Sequence, residues 1–61
     1  GIDFSGSNFT GANLEGAYLA GADLTGADFT DAIVTDADFG STYWYQTIWT
    51  DGIAYDENQA D

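Results

Sequence analysis

The sequence predicts a solenoid, a chain that turns at fixed intervals and stacks on itself. The first observation is a period. Written in fives from Gly1, the chain reads GIDFS, GSNFT, GANLE, GAYLA, GADLT, GADFT, DAIVT, DADFG, STYWY, QTIWT. The fourth place is apolar every time: Phe4, Phe9, Leu14, Leu19, Leu24, Phe29, Val34, Phe39, Trp44 and Trp49. The second observation is that five is the period of neither regular element. A helix turns about 100° per residue, so these side chains would spray around its cylinder. A flat strand alternates faces, so every second one would meet water. Only a change of direction in each block points the whole series at one axis. Ten apolar residues in unbroken phase also separate the chain from low-complexity disorder, which its Gly, Ala, Asp and Thr content would otherwise suggest.

The remaining places follow from that geometry. The second holds Ala12, Ala17, Ala22, Ala27, Ala32 and Ala37, with Ser7 and Thr42 at the margins, small enough to share the inside. The first is Gly from Gly1 to Gly26 and then Asp31 and Asp36, which suits a corner needing unusual φ. The third is mostly Asp or Asn (Asp3, Asn8, Asn13, Asp23, Asp28, Asp38) and, with the fifth, looks outward. After Gly52 the period stops. The expected division is a repeat body, 1–50, and an acidic, mobile C-terminal extension, 51–61.

Composition narrows function. The 61 residues carry eleven Asp and Glu and no Lys, Arg or His. Nucleic-acid binding draws its affinity from cations that neutralise phosphates, so direct DNA or RNA contact is disfavoured, as are anionic membrane surfaces. Cationic partners and divalent ions are attracted instead. No apolar run reaches the ~18 residues of a membrane helix. With no cysteine, the redox compartment stays open, and the lack of any Met predicts a piece of something longer or a subunit held by partners.

GANLE, GADLT and GADFT resemble the pentapeptide-repeat family, whose pattern is A-(D/N)-L-x-x with an inward Leu or Phe. The resemblance spans about residues 1–50 and implies an all-β fold, a right-handed quadrilateral β-helix with four pentapeptides per coil. Fifty residues would then make about two and a half coils, closed by a short non-repeat cap and tail. It also implies a register. Residues twenty apart stack, placing Phe4 over Leu24 over Trp44, and Phe9 over Phe29 over Trp49. TIWTDG, Thr47 to Gly52, resembles the closing extension of cyanobacterial and thylakoid-lumen members, which implies a lumenal or periplasmic setting and a photosynthetic assembly.

Chemistry is sparse. Without His, Cys, Lys or Arg there are no classical triads, Schiff bases or zinc sites, and no cofactor motif occurs. The expected function is therefore non-catalytic. Asp3 and Asp23 stack in the implied register, and clustered oxygens suit calcium. Asp3, Asp23, Asp36 and Asp38, or Asp56 and Glu57, are the weak calcium candidates, though none fits the D-x-[DN]-x-[DN]-G loop. Departures from the pattern are the partner-binding candidates. Tyr18 and Ile33 replace an outward Asp or Asn, and Tyr43, Trp44, Tyr45 and Trp49 crowd the end. That cluster reads either as a cap plugging the column or as an interface rich in aromatic anchors.

Three functions stand against each other. The first is a structural and interaction module, an accessory subunit whose protein partner offers a basic or aromatic-accepting surface. The second is an acidic DNA mimic that binds a type II topoisomerase, as another branch of the family implies. The third is a calcium-stabilised lumenal or extracellular module.

Overall fold

The computed structural model describes residues 1–60; Asp61, last in the predicted extension, lies outside the described residues. The chain folds as a β-helix-like stack. Parallel bridges join Asp3 to Asp23 and Asp23 to Tyr43, Asn8 to Asp28 and Asp28 to Ile48, Asn13 to Ile33, and Tyr18 to Asp38. Every bridge spans twenty residues, so the third places line up in four ladders, in the register the repeat implies.

The blocks as far as Thr42 turn by the same device. The amide of the next second place donates to the fourth-place carbonyl, as from Ser7 to Phe4 (3.0 Å), Ala12 to Phe9 (2.9 Å) and Ala27 to Leu24 (3.0 Å). The first-place residue inside that turn needs a left-handed φ, as in a type II turn. Gly26 takes it at 68° and Gly16 at 70° without a Cβ to obstruct it. Later corners are made by other residues: Asp31 and Asp36 at φ 60°, Ser41 at 56° and Gln46 at 48°.

Between coils the backbone pairs regularly. A third-place amide donates back to the second-place carbonyl one coil earlier, as from Asp23 to Ile2 (2.9 Å) and Tyr43 to Ala22 (3.0 Å). Fourth- and first-place amides donate forward, as from Leu24 to Tyr43 (2.8 Å) and Gly26 to Tyr45 (2.9 Å).

The inward residues form one core: Leu19, Ala22, Leu24, Ala27, Phe29, Ala32, Phe39 and Trp44 are buried, Leu24, Ala27 and Phe29 completely. Phe9 stacks on Phe29 with ring centroids 4.9 Å apart and planes within 10°, and Phe29 meets Trp49 at 5.5 Å. Across the column Phe39 lies edge-on to Phe29 at 5.6 Å and to Trp49 at 5.2 Å, arrangements that the ring quadrupole favours.

The far end is closed differently. β1 (Thr47–Ile48) pairs antiparallel with β2 (Ala54–Tyr55), Thr47 opposite Tyr55 and Ile48 opposite Ala54. The chain reverses at Gly52, whose φ is 80° and whose amide donates to the Trp49 carbonyl at 2.9 Å. Thr47 holds the inward second place that Ala fills elsewhere. It is wholly buried, and its Oγ1 donates to the Leu24 carbonyl at 2.7 Å while accepting from the Tyr45 amide at 3.3 Å. Beyond β2, Asp56 accepts from the Gln46 amide at 2.9 Å, and Asn58 Nδ2 donates to the Phe39 carbonyl at 2.9 Å and to Thr42 Oγ1 at 3.3 Å. Thr42 Oγ1 also receives the Trp44 indole N–H at 2.7 Å, so the buried indole is satisfied.

Candidate interaction surface

The outward residues decide what the stack can do. Third-place Asp and Asn are first of all backbone caps. Their Oδ1 accepts the amide two residues on: Ser5 on Asp3 (2.9 Å), Thr10 on Asn8 (2.9 Å), Glu15 on Asn13 (3.1 Å), Thr25 on Asp23 (3.0 Å), Thr30 on Asp28 (2.9 Å) and Gly40 on Asp38 (2.9 Å). Where the fifth place is Ser or Thr opposite an Asp, the hydroxyl donates to the same oxygen, at 2.6 Å from Ser5, 2.7 Å from Thr25 and 2.6 Å from Thr30. Such side-chain turns satisfy the amide that the corner would otherwise leave facing water.

These bonds favour the ionised carboxylate. The Ser5 hydroxyl and then its amide hold the Asp3 carboxyl below its ordinary value, and Thr30 does the same for Asp28. At the far end the Tyr55 hydroxyl donates to Asp51 Oδ2 at 2.6 Å. That bond lowers the Asp51 carboxyl and raises the Tyr55 phenol. A cavity of about 210 Å³ opens beside Ile2, Phe4, Tyr18 and Leu19, and no carboxylate lines it.

The calcium candidates do not converge. Asp3 and Asp23 share a ladder, but among the described residues no group of three or more Asp, Glu, His or Cys is placed to hold a metal ion. Asp56 is engaged by the Gln46 amide.

The partner-binding candidates divide into two sets. Tyr18 (76 % exposed), Ile33 (51 %), Tyr43 (64 %) and Tyr45 (49 %) stand on the surface. Trp44 is buried and Trp49 half-buried, their ring centroids 5.1 Å apart inside the column. The four exposed residues are also dispersed. Tyr18 shares a ladder with Asp38, Ile33 with Asn13 and Tyr43 with Asp3 and Asp23, while Tyr45 lies one coil beyond Thr25.

Three residues matter at the end in ways the sequence analysis does not assign: Thr47 and Asn58 receive no role there, and Asp56 figures only as a calcium candidate. Thr47 was recoverable from its phase in QTIWT, which puts it at an inward place. Asp56 and Asn58 lie beyond the period, and their partners are ten to nineteen residues away, where no local pattern signals them.

Turns every five residues, ladders at twenty and an inward apolar column define a β-helix-like repeat protein. Eight copies of the pentapeptide repeat match residues 1–40, and the chain belongs to the pentapeptide-repeat family. No curated protein and no solved structure matches it. Pentapeptide-repeat proteins are typically non-catalytic interaction modules.

Proposed function

We propose that the chain is a non-catalytic accessory module that docks in a larger assembly through its outer faces. The observation that carries this reading is the set of exposed Tyr18, Ile33, Tyr43 and Tyr45 at outward places where the regular repeat carries Asp, Asn or a small polar residue. Large apolar groups held in water on a rigid frame are typical of interface anchors. Eleven carboxylates with no side-chain cation favour a partner whose matching surface is basic. The finer architecture belongs to the same proposal: a right-handed quadrilateral β-helix of about two and a half coils over 1–50, closed by the extension 51–61. A photosynthetic, lumenal setting has its support in TIWTDG alone.

The test places a photo-crosslinking residue at position 18, 33, 43 or 45 in cells that carry the chain. A discrete protein adduct from at least one position is expected; silence at all four would sink the reading. The stacked carboxylates of Asp3 and Asp23 are what favours the DNA-mimic alternative. Inhibition of gyrase supercoiling by the chain would shift the conclusion to it.

A further inference from the structure

We propose that the face bearing Asp3, Asp23, Tyr43 and Tyr45 is a docking surface for a guanidinium-bearing segment of a protein partner. The inference rests on the module reading above and names its surface. Asp3, Asp23 and Tyr43 are successive rungs of one ladder, and Tyr45 lies one coil beyond Thr25, its carbonyl accepting from the Gly26 amide at 2.9 Å. Tyr43, 64 % exposed, thus continues the column of two aspartates, and Tyr45, 49 % exposed, continues the neighbouring column of Ser5 and Thr25.

The aspartates are pre-set. Their Oδ1 atoms are each gripped by an amide and a hydroxyl, from Ser5 and from Thr25, which fixes the carboxylate planes. Among the described residues no donor reaches either Oδ2. The chain has no Lys, Arg or His, so neither the free oxygens nor the tyrosine faces can find a cationic side chain within it. A guanidinium meets both needs, because its N–H fork fits carboxylate oxygens and its plane stacks on an aromatic face. A lysine ammonium, compact and strongly hydrated, fits the pair less well. Spacing agrees. Rungs are about 4.8 Å apart, and alternate residues of an extended peptide about 6.6 Å apart. An Arg-x-Arg segment laid along the ladder puts one guanidinium at Asp3 and Asp23 and the next over Tyr43. The Tyr18–Asp38 ladder supplies an internal contrast, with one tyrosine and one carboxylate.

The experiment titrates the ¹⁵N-labelled chain, at low salt, with the probe peptide acetyl-Gly-Arg-Gly-Arg-Gly-amide. Amide shifts should concentrate at Asp3, Asp23, Tyr43 and Tyr45, and the lysine counterpart should bind at least about threefold more weakly. Asp23→Asn keeps the Oδ1 acceptor for Thr25 and so keeps the fold, while Tyr43→Ser alters an exposed ring. Each should weaken the arginine peptide about fivefold. Tyr18→Ser and Asp38→Asn should leave it unchanged. Asp3→Asn is the second reporter, and a dispersed spectrum verifies each fold. Shifts spread equally onto the Tyr18–Asp38 ladder, equal binding of both peptides, or no shift at all would overturn the proposal. Crosslinks from position 18 or 33 alone would remove this surface while leaving the module reading in place.

Discussion

The two halves of the stack turn the same corner with different residues. From Gly6 to Gly26 each corner is a glycine, and the outward places beside it are mostly short polar residues. From Asp31 to Gln46 each corner is an Asp, Ser or Gln forced to φ between 48° and 60°. The later part of the chain also carries the two inward tryptophans, Trp44 and Trp49, and the two exposed tyrosines Tyr43 and Tyr45. The first half is therefore cheap in backbone and plain in side chain, and the second the reverse. Left-handed φ costs about 1–2 kcal/mol for an ordinary residue, less for Asp. Burial of Phe39 and Trp44 beside these corners offsets part of that cost.

The largest effect should come from the one ring that serves both halves. Phe29 stacks on Phe9 one coil earlier, meets Trp49 one coil later and touches Phe39 across the column. Phe29→Ala should cost about 3–5 kcal/mol, enough to abolish cooperative melting in a chain this small. A sharp transition near the parent temperature would show that the halves stand independently. Next is Thr47→Val, which removes the buried hydroxyl bridging the Leu24 carbonyl and the Tyr45 amide. A loss of about 1–3 kcal/mol in urea melts is expected.

The corners themselves come third. Gly26→Ala should destabilise by about 1–2 kcal/mol and Gln46→Gly should stabilise by up to about 1 kcal/mol. Equal responses of the two corners would erase the comparison.

The smallest effects concern pH. The Asp28 carboxyl is held low in the folded chain, so its contribution is present above the unfolded value, about 3.9, and fades as pH falls through the lower folded one. Acid also relieves the repulsion among eleven carboxylates. The informative quantity is thus the difference from Asp28→Asn, which should shrink as acid protonates the parent. At the other limit, Tyr55 is raised by its bond to Asp51. That contribution is full below about pH 10 and lost as pH rises through the raised value. Tyr55→Phe should leave hydrogen exchange at the Gln46 amide independent of that alkaline step.

The body was legible because repetition makes one rule decide fifty residues. A fourth-place apolar residue and a period of five mark the inward series; four blocks per coil, which puts Phe9 over Phe29, came only with the family resemblance, and the bridges stand at that register. The third-place Asp and Asn were legible as outward but not as caps. A carboxylate's charge is visible in a sequence, whereas an Oδ1 turned back onto its own backbone is a property of the folded corner. The surface was half legible. Tyr18, Ile33, Tyr43 and Tyr45 stood out as departures, while Trp44, equally conspicuous, occupies an inward place and is buried. Asn58 reaches Phe39 and Thr42 from outside any period, so only the folded chain reveals it.

The uniform twenty-residue reach of the bridges has a kinetic consequence. No rung can form until a loop of one full turn has closed, so the first closure carries the entropic cost that later ones share. Once one turn stands, each new pentapeptide meets a template already in place and adds at constant cost, as in a zipper. Assembly can then advance block by block from whichever turn closes first, and at one end it meets the antiparallel pairing of Thr47 with Tyr55. There the parallel ladder runs into a strand that cannot propagate it, and growth stops.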